Sequence, residues 1–437
     1  MINFFKKYFA LLLIFIMYEG FGLLPQFLVV PIPGVFRLTD SFLLIVFIVY
    51  ILNLRKIGYI FREHTQASII ILFGCLMFIT GIFMAQFHFG QPILTGFLKL
   101  RQNFNLLLFF IILMLIYNEK EVTFFVRGIS VIVCFIGVLA VIQYIIPDIP
   151  IFQGRDIDAL YSGEKLLRYG SYRIIFPAAH LAVLLYCYIL GELIEIEKPN
   201  KFYLKVSFLI FLFFLFYIQQ IRATILTITI VSIYALFTCK KTNYKVGVSI
   251  LLFMLICGQL LSFAISNQGL SDLENSKIYY MTKSVLNAFD SDDSSINARF
   301  EQTDMYLHYF KKYPVLGSGT LAIESPLSKK YQLYNTSDLG YFKLLCEYGM
   351  VGFFWFVWLF VYVHRRTKKI LAEKSKSNIP DIVIGITKGT RLFYMYIGIS
   401  MLTLPHFSRG SKIIYMMISI AFLEIVAKLS TQIRAKP

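Results

Sequence analysis

The chain has 437 residues, of which 58% are hydrophobic and 15% charged, and its formal net charge is +17. Soluble proteins carry about 25% charged residues, so soluble, secreted and disordered classes are excluded and the composition reads as all-α, a polytopic integral membrane helical bundle. The basic excess sits in short segments between apolar runs, where it signals topology and requires no nucleic acid.

The N-terminus, MINFFKKYFALLLIFIMY, is charged and then apolar, like a signal peptide. It runs on to about residue 31 without a small-x-small cleavage site and is read as an uncleaved first span, 8–31. Further apolar blocks long enough to cross a bilayer, about 20 residues each, follow at 39–54, 66–87, 103–117, 122–146, 174–194, 204–220, 223–239, 246–265, 341–363, 391–407 and 412–429. That predicts about twelve transmembrane helices.

Alternate connections hold the lysines and arginines: Lys6 and Lys7; Arg55, Lys56 and Arg62; Lys120 and Arg127; Lys198 and Lys201; Lys240, Lys241 and Lys245; and Arg365 through Lys376. By the positive-inside rule these face the cytoplasm, as do both termini. The expected organisation is therefore helices 1–5 over 1–146, a first extracytoplasmic loop over 147–173, and helices 6–9 with a tight hairpin at Arg222 over 174–265. A large extracytoplasmic loop covers 266–340, and helices 10–12 with a cytoplasmic C-terminus cover 341–437.

Long loops in compact proteins are functional or disordered. In the large loop, the acidic DSDDSS stretch gives way to a helical pattern near Asn297, with Phe300, Leu307 and Phe310 at helical spacing and Pro314 as its stop. Two readings stand: a solvated loop with one surface helix, or a segment folded over the spans as the roof of an active site.

The six cysteines form no CxxC pair, and the histidines (His64, His88, His180, His308, His364, His406) are scattered, none at metal-ligand spacing. P-loop, GxSxG and HExxH motifs are missing. A metal-independent mechanism without a cofactor is expected. No matched pair of broken helices marks a secondary transporter, although a transporter or flippase of lipid-linked glycans remains an alternative of a different class.

Candidate chemistry lies on the predicted outer face. Arg222, in YIQQIRATILTI, tops a helical hairpin; it is either a snorkelling anchor or, beside Gln219 and Gln220, part of a polar cavity. Arg168 and Arg173 close the first outer loop, and Arg299 opens the loop helix. Arginine is permanently charged and pairs bidentately with phosphate oxygens, so four converging arginines would clamp a pyrophosphate. Asp338, before the run LGYFKLLCEYGMVG, is either a helix N-cap or a general base.

The stretch from Arg299 through YPVLGSG (313–319), followed by TSDLGYFKLLCEYGMVG (336–352), resembles the large-loop signature of the bacterial O-antigen polymerase and O-antigen ligase family. The shared elements are an arginine before the loop helix, a Pro-x-x-Gly-x-Gly turn, and a polar residue eleven positions before the first glycine of Glu-x-Gly-x-x-Gly. The segment around Arg222 is similar to the family's Arg-small element. Ligase-type members carry His-Asn where this chain has Asp338 and Leu339, whereas polymerase-like members have a Ser/Thr-Asp-x-Gly-Tyr run such as Ser337 to Tyr341.

The resemblance implies a GT-C type glycosyltransferase of the bacterial inner membrane, with O-antigen ligase as the nearer alternative. Its donor and acceptor would be undecaprenyl-pyrophosphate-linked glycans, and a chain-length regulator protein is an expected partner. For that reaction the incoming hydroxyl calls for a positioned base, for which Asp338 is the first choice with His308 in reserve; Arg222 is the expected catalytic cation, and Arg168, Arg173, Arg222, Arg299 and Tyr341 are the expected pyrophosphate and glycan contacts.

Overall fold

A computed structural model describes residues 8, 11–12, 15, 38–146, 151, 167–168, 171–172, 179–196, 201–219, 222–239, 294–322, 326–331, 339–373, 380–404, 406–407 and 410–434. The span expected at 246–265 and most of that at 8–31 lie outside the described residues. Among the described residues seven helices are long and apolar enough to cross a membrane, or eight if one bent pair counts as a single span. The all-α polytopic class holds.

Helix α1 (Leu38–Leu52) meets α2 (Leu54–Glu63) at a bend of 89°. Asn53 occupies the corner, its Nδ2 donating to the Val49 carbonyl at 2.9 Å. Arg55, Lys56 and Arg62, expected in a loop, instead ride on α2. Next, α3 (Thr65–Phe89) ends at Gly90 in the left-handed conformation. The following span, 93–115, is built from α4 (Ile93–Leu100), a 3-10 run (Arg101–Leu107) and α5 (Leu108–Leu115). It starts ten residues before the expected 103. Arg101 lies inside it because its guanidinium forks onto Asp40 of α1, Nε to Oδ1 at 2.5 Å and Nη2 to Oδ2 at 2.9 Å.

Asn118 caps α6 (Glu119–Ile145), accepting from the Glu121 amide. A two-residue hairpin, β1 (Leu167–Arg168) and β2 (Ser171–Tyr172), pairs Arg168 with Ser171. Helices α7 (Ala179–Glu195), α8 (Phe202–Gln219) and α9 (Arg222–Thr238) follow. After them come α10 (Ser294–Lys312), the short α11 (Pro326–Lys330), α12 (Gly340–Glu373), α13 (Asp381–Ser400) and α14 (Gly410–Arg434). The span expected at 391–407 is α13, shifted towards the N-terminus. Lys388, which made that stretch look like loop, is buried and ion-paired with Glu195 at 2.8 Å.

The bundle centre is α14, buried at every position from Lys412 to Ala427 and packed against the 3-10 run, α5, α12 and α13. Its tightest pair is α7 with α13. A Cβ on Gly191 would sit 2.5 Å from the Gly389 amide nitrogen, and one on Gly389 would sit 2.5 Å from Tyr188 Cα, so the two backbones touch. Small residues allow this approach within a membrane, where apolar side chains gain little by leaving lipid.

Candidate functional site

Helix α12 is interrupted near its start. At Gly349 the backbone turns to φ 62°, ψ −157°, which removes the helical bonds that the Met350 and Val351 amides would give to the Cys346 and Glu347 carbonyls. Unpaired backbone groups at membrane depth cost several kcal/mol each, and the large loop supplies all four partners. The Met350 amide donates to the Pro314 carbonyl (2.8 Å) and the Val351 amide to Val315 (3.2 Å), while the Ser318 and Gly319 amides donate to Cys346 (2.7 Å) and Glu347 (3.1 Å).

Room for this insertion comes from glycine. A Cβ on Gly349 would lie 2.3 Å from the Val315 carbonyl oxygen, and one on Gly317 would lie 2.4 Å from the Tyr348 nitrogen. The Pro-x-x-Gly-x-Gly turn and the Glu-x-Gly-x-x-Gly helix are thus two halves of one unit. That unit is fixed to α3 as well. The Thr320 amide donates to the Gly81 carbonyl (3.2 Å), and the Gln91 side chain bridges the Thr320 carbonyl (3.1 Å) and the Ala322 amide (2.8 Å).

Helix α10 packs on this unit through buried Tyr306 and through Tyr309, and Gln302 one turn before Tyr306 is buried as well. Phe300, at helical spacing with Leu307 and Phe310, is 64% exposed. Tyr309 donates to the Tyr331 carbonyl at 2.9 Å, burial raises its phenol pKa, and Phe89 of α3 meets both tyrosine rings. The loop therefore covers the end of the bundle at which α12 begins, called here the upper end.

Two distant segments meet at this end on α13. The α9 helix opens at Arg222, and two residues on, Thr224 Oγ1 lies 3.5 Å from the Tyr396 hydroxyl of α13. The backbone entering α12 hangs on the α13–α14 connector, the Leu339 amide donating to Thr403 (3.4 Å) and the Tyr341 amide to Met401 (3.1 Å). The Tyr341 hydroxyl donates to the Gly398 carbonyl at 2.7 Å and its ring stands edge-on to Phe356.

The first helical bond of α12 runs from the Lys343 amide to the Leu339 carbonyl. The cap position is therefore Leu339, one residue after the expected Asp338, and leucine offers no side-chain acceptor. Leu339 also holds φ 61°, a conformation costing about 1–2 kcal/mol for a residue with a Cβ. Strain of this kind clusters at functional sites.

Of the other expected residues, Asp338 and Arg173 lie outside the described residues, and Arg168 and Arg222 are placed by backbone alone. Arg299 and His308 share α10 but are nine positions apart, half a turn round the helix. Arg299 is half-buried and His308 exposed, so α10 cannot present both to one site. Glu347 lies 3.8 Å from Lys343 across one turn, and Lys343 is itself buried.

A buried polar relay next to this junction was not expected from the sequence. His406, in the α13–α14 connector, has Nε2 2.6 Å from Ser400 Oγ and Nδ1 2.7 Å from the Tyr415 hydroxyl. Burial holds its pKa well below the ordinary value, with Lys412 and His180 adding to the effect. The neutral ring satisfies every donor in one arrangement: Tyr415 donates to Nδ1, Nε2–H donates to Ser400, and Ser400 donates to the Ile397 carbonyl at 3.2 Å. The His180 ring lies 6.2 Å from that of His406, and Tyr396 lies 6.0 Å away. These histidines are 226 positions apart and carry no sequence signal. The Gly385-x-x-x-Gly389 spacing that seats α13 on α7 was legible as a helix-packing motif.

Fold and site together define a polytopic all-α membrane protein whose upper end joins a glycine-built loop unit to a polar junction on α13. The O-antigen ligase family model matches residues 207–357, from within α8 through the large loop into α12. The match takes in Arg222, the loop and the glycine unit, and supports an O-antigen ligase/polymerase-type membrane enzyme, the family the motifs resemble. No curated protein matches the chain.

Proposed function

We propose that this protein polymerises undecaprenyl-pyrophosphate-linked oligosaccharide repeat units into O-antigen or a similar surface polysaccharide, with the upper end at the extracytoplasmic face of the bacterial inner membrane and both termini cytoplasmic. A hydroxyl of one lipid-linked repeat attacks the anomeric carbon of another. The new glycosidic C–O bond forms as the bond to pyrophosphate breaks, the lipid pyrophosphate leaves with the bonding electrons, and the hydroxyl proton passes to Asp338. Preformed cations aimed at the departing charge lower such a barrier, the role assigned to Arg222 with Arg168, Arg173 and Arg299. Tyr341, with its hydroxyl bound to Gly398, would offer its ring to the glycan.

The observation that carries this reading is the meeting on α13 of the α9 start at Arg222 and the strained backbone immediately after Asp338. The Ser337–Asp338–Leu339–Gly340–Tyr341 run favours polymerase. Ligase activity is the second reading, favoured by the description of the matching family.

The glycan ladder of a deletion strain separates the two. Surface glycan reduced to single repeats supports the polymerase, whereas loss of all surface glycan with lipid-linked polymer retained assigns the ligase reaction.

A further inference from the structure

We propose that the lower end of the bundle, remote from the candidate active site, binds the phosphate head of an anionic phospholipid. Two independent features point there. The first is α2, which turns 89° from the preceding helix and so runs across the direction of the spans. It carries Arg55, Lys56 and Arg62 among apolar side chains, with Leu54 and Tyr59 64% and 66% exposed. A basic amphipathic helix lying across the spans belongs in the headgroup layer.

The second is a cavity of about 150 Å³ at the corner where α2 passes into α3, lined by Glu63, His64, Arg366, Lys369, Lys428 and Thr431 among others. It therefore lies at the depth that α2 marks as interfacial. Three of these side chains are permanent cations and only Glu63 is a carboxylate. The floor is braced by buried Glu424, which accepts from Arg366 Nε (2.8 Å) and Nη2 (3.0 Å) and from Tyr362, and lies 2.7 Å from His64 Nδ1. Glu63 is held by Lys428 at 2.7 Å. Lys369 is exposed at the rim and makes no ion pair with another of the described residues.

The space is enough for a phosphate diester, and it lies at the opposite end of the bundle from the residues proposed to hold glycan. That separates it from the glycan chemistry at the upper end. Basic pockets between membrane helices at the headgroup layer are recognised sites for anionic lipid heads, and the cationic lining on a rigid carboxylate floor meets that requirement.

The test uses the full chain in nanodiscs of phosphatidylcholine with a minor fraction of phosphatidylglycerol, read by native mass spectrometry of the lipid retained on the protein. Wild type should retain phosphatidylglycerol over phosphatidylcholine, and Lys369→Glu, a change at an exposed position that the fold tolerates, should lower that preference about thirtyfold, two charge steps at about 1 kcal/mol each. Lys428→Gln should lower it by a smaller factor. Equal retention by wild type and Lys369→Glu would overturn the site, as would no preference in wild type. Retention of added inorganic phosphate with no preference for phosphatidylglycerol would overturn the lipid assignment. Glycan polymerisation is not part of the readout, so failure here leaves the enzymatic reading standing.

Discussion

The two ends of α12 are held by opposite means. At the upper end the helix is broken, and the backbone of another segment repairs it: four amide-to-carbonyl bonds join residues 314–319 to residues 346–351. At the lower end the helix is intact, and side-chain charge joins it to its neighbours through Arg366 and Tyr362 on Glu424 of α14. The upper construction depends on the absence of side chains at Gly317 and Gly349, the lower on the presence of particular ones. Backbone pairing fixes a loop rigidly at the bundle end, which suits a site that must hold charged groups in register. Charge pairing, by contrast, tolerates adjustment one residue at a time.

The largest effect is expected from Gly349→Ala. The new methyl would meet the Val315 carbonyl oxygen in a backbone region unfavourable to alanine. Undocking the loop would leave four buried backbone groups unpaired, at several kcal/mol each. Protein recovered from membranes should fall sharply, and limited proteolysis should open the 314–319 segment; normal yield and protection would show that the unit does not depend on glycine.

Arg222→Ala should abolish polymer while leaving membrane insertion and protein level normal. Arg222→Lys should recover little, because a point charge does not reproduce the planar fork. A snorkelling anchor would make both variants nearly silent in a glycan ladder.

Glu424→Gln should weaken the lower end of α12 by a smaller amount. It removes the charge facing Arg366 and His64 while keeping an acceptor for Tyr362, and Arg366 is 30% exposed and able to turn to water. The cost is about 2 kcal/mol, within the range for bonds to charged groups. A thermal melt of the purified protein should shift downward while the glycan ladder at permissive temperature keeps its length distribution.

Much of the fold was legible because apolar blocks long enough to span a bilayer are hard to mistake. The misplaced boundaries share one cause. Arg101 and Lys388 looked like loop residues to a hydropathy reading, yet each is accommodated within a span by a carboxylate on another helix, Asp40 and Glu195. Such a pairing spans 61 or 193 positions, and a local window cannot see it. The bend at Asn53 is equally hidden from a local window, since the basic residues of α2 have the composition of a connection.

At the site, both glycine motifs were visible, but their docking on each other was not, because it is made of backbone bonds that leave no side-chain pattern. Asp338 was legible as a helix-start residue, and the cap falls one position later at Leu339. The His406 relay was invisible for the opposite reason: its members are ordinary residues whose meaning arises only from being brought together.

The most direct test of the central claim, that the junction on α13 is a polymerase active site with Asp338 as its base, is the surface-glycan ladder of a deletion strain complemented with Asp338→Asn. Asparagine keeps the size and a hydrogen-bond acceptor but removes the titratable carboxylate, whose loss as a general base costs about 10²–10⁴-fold in rate. The account predicts mostly single-repeat glycan at wild-type protein levels. A near-normal ladder would contradict it.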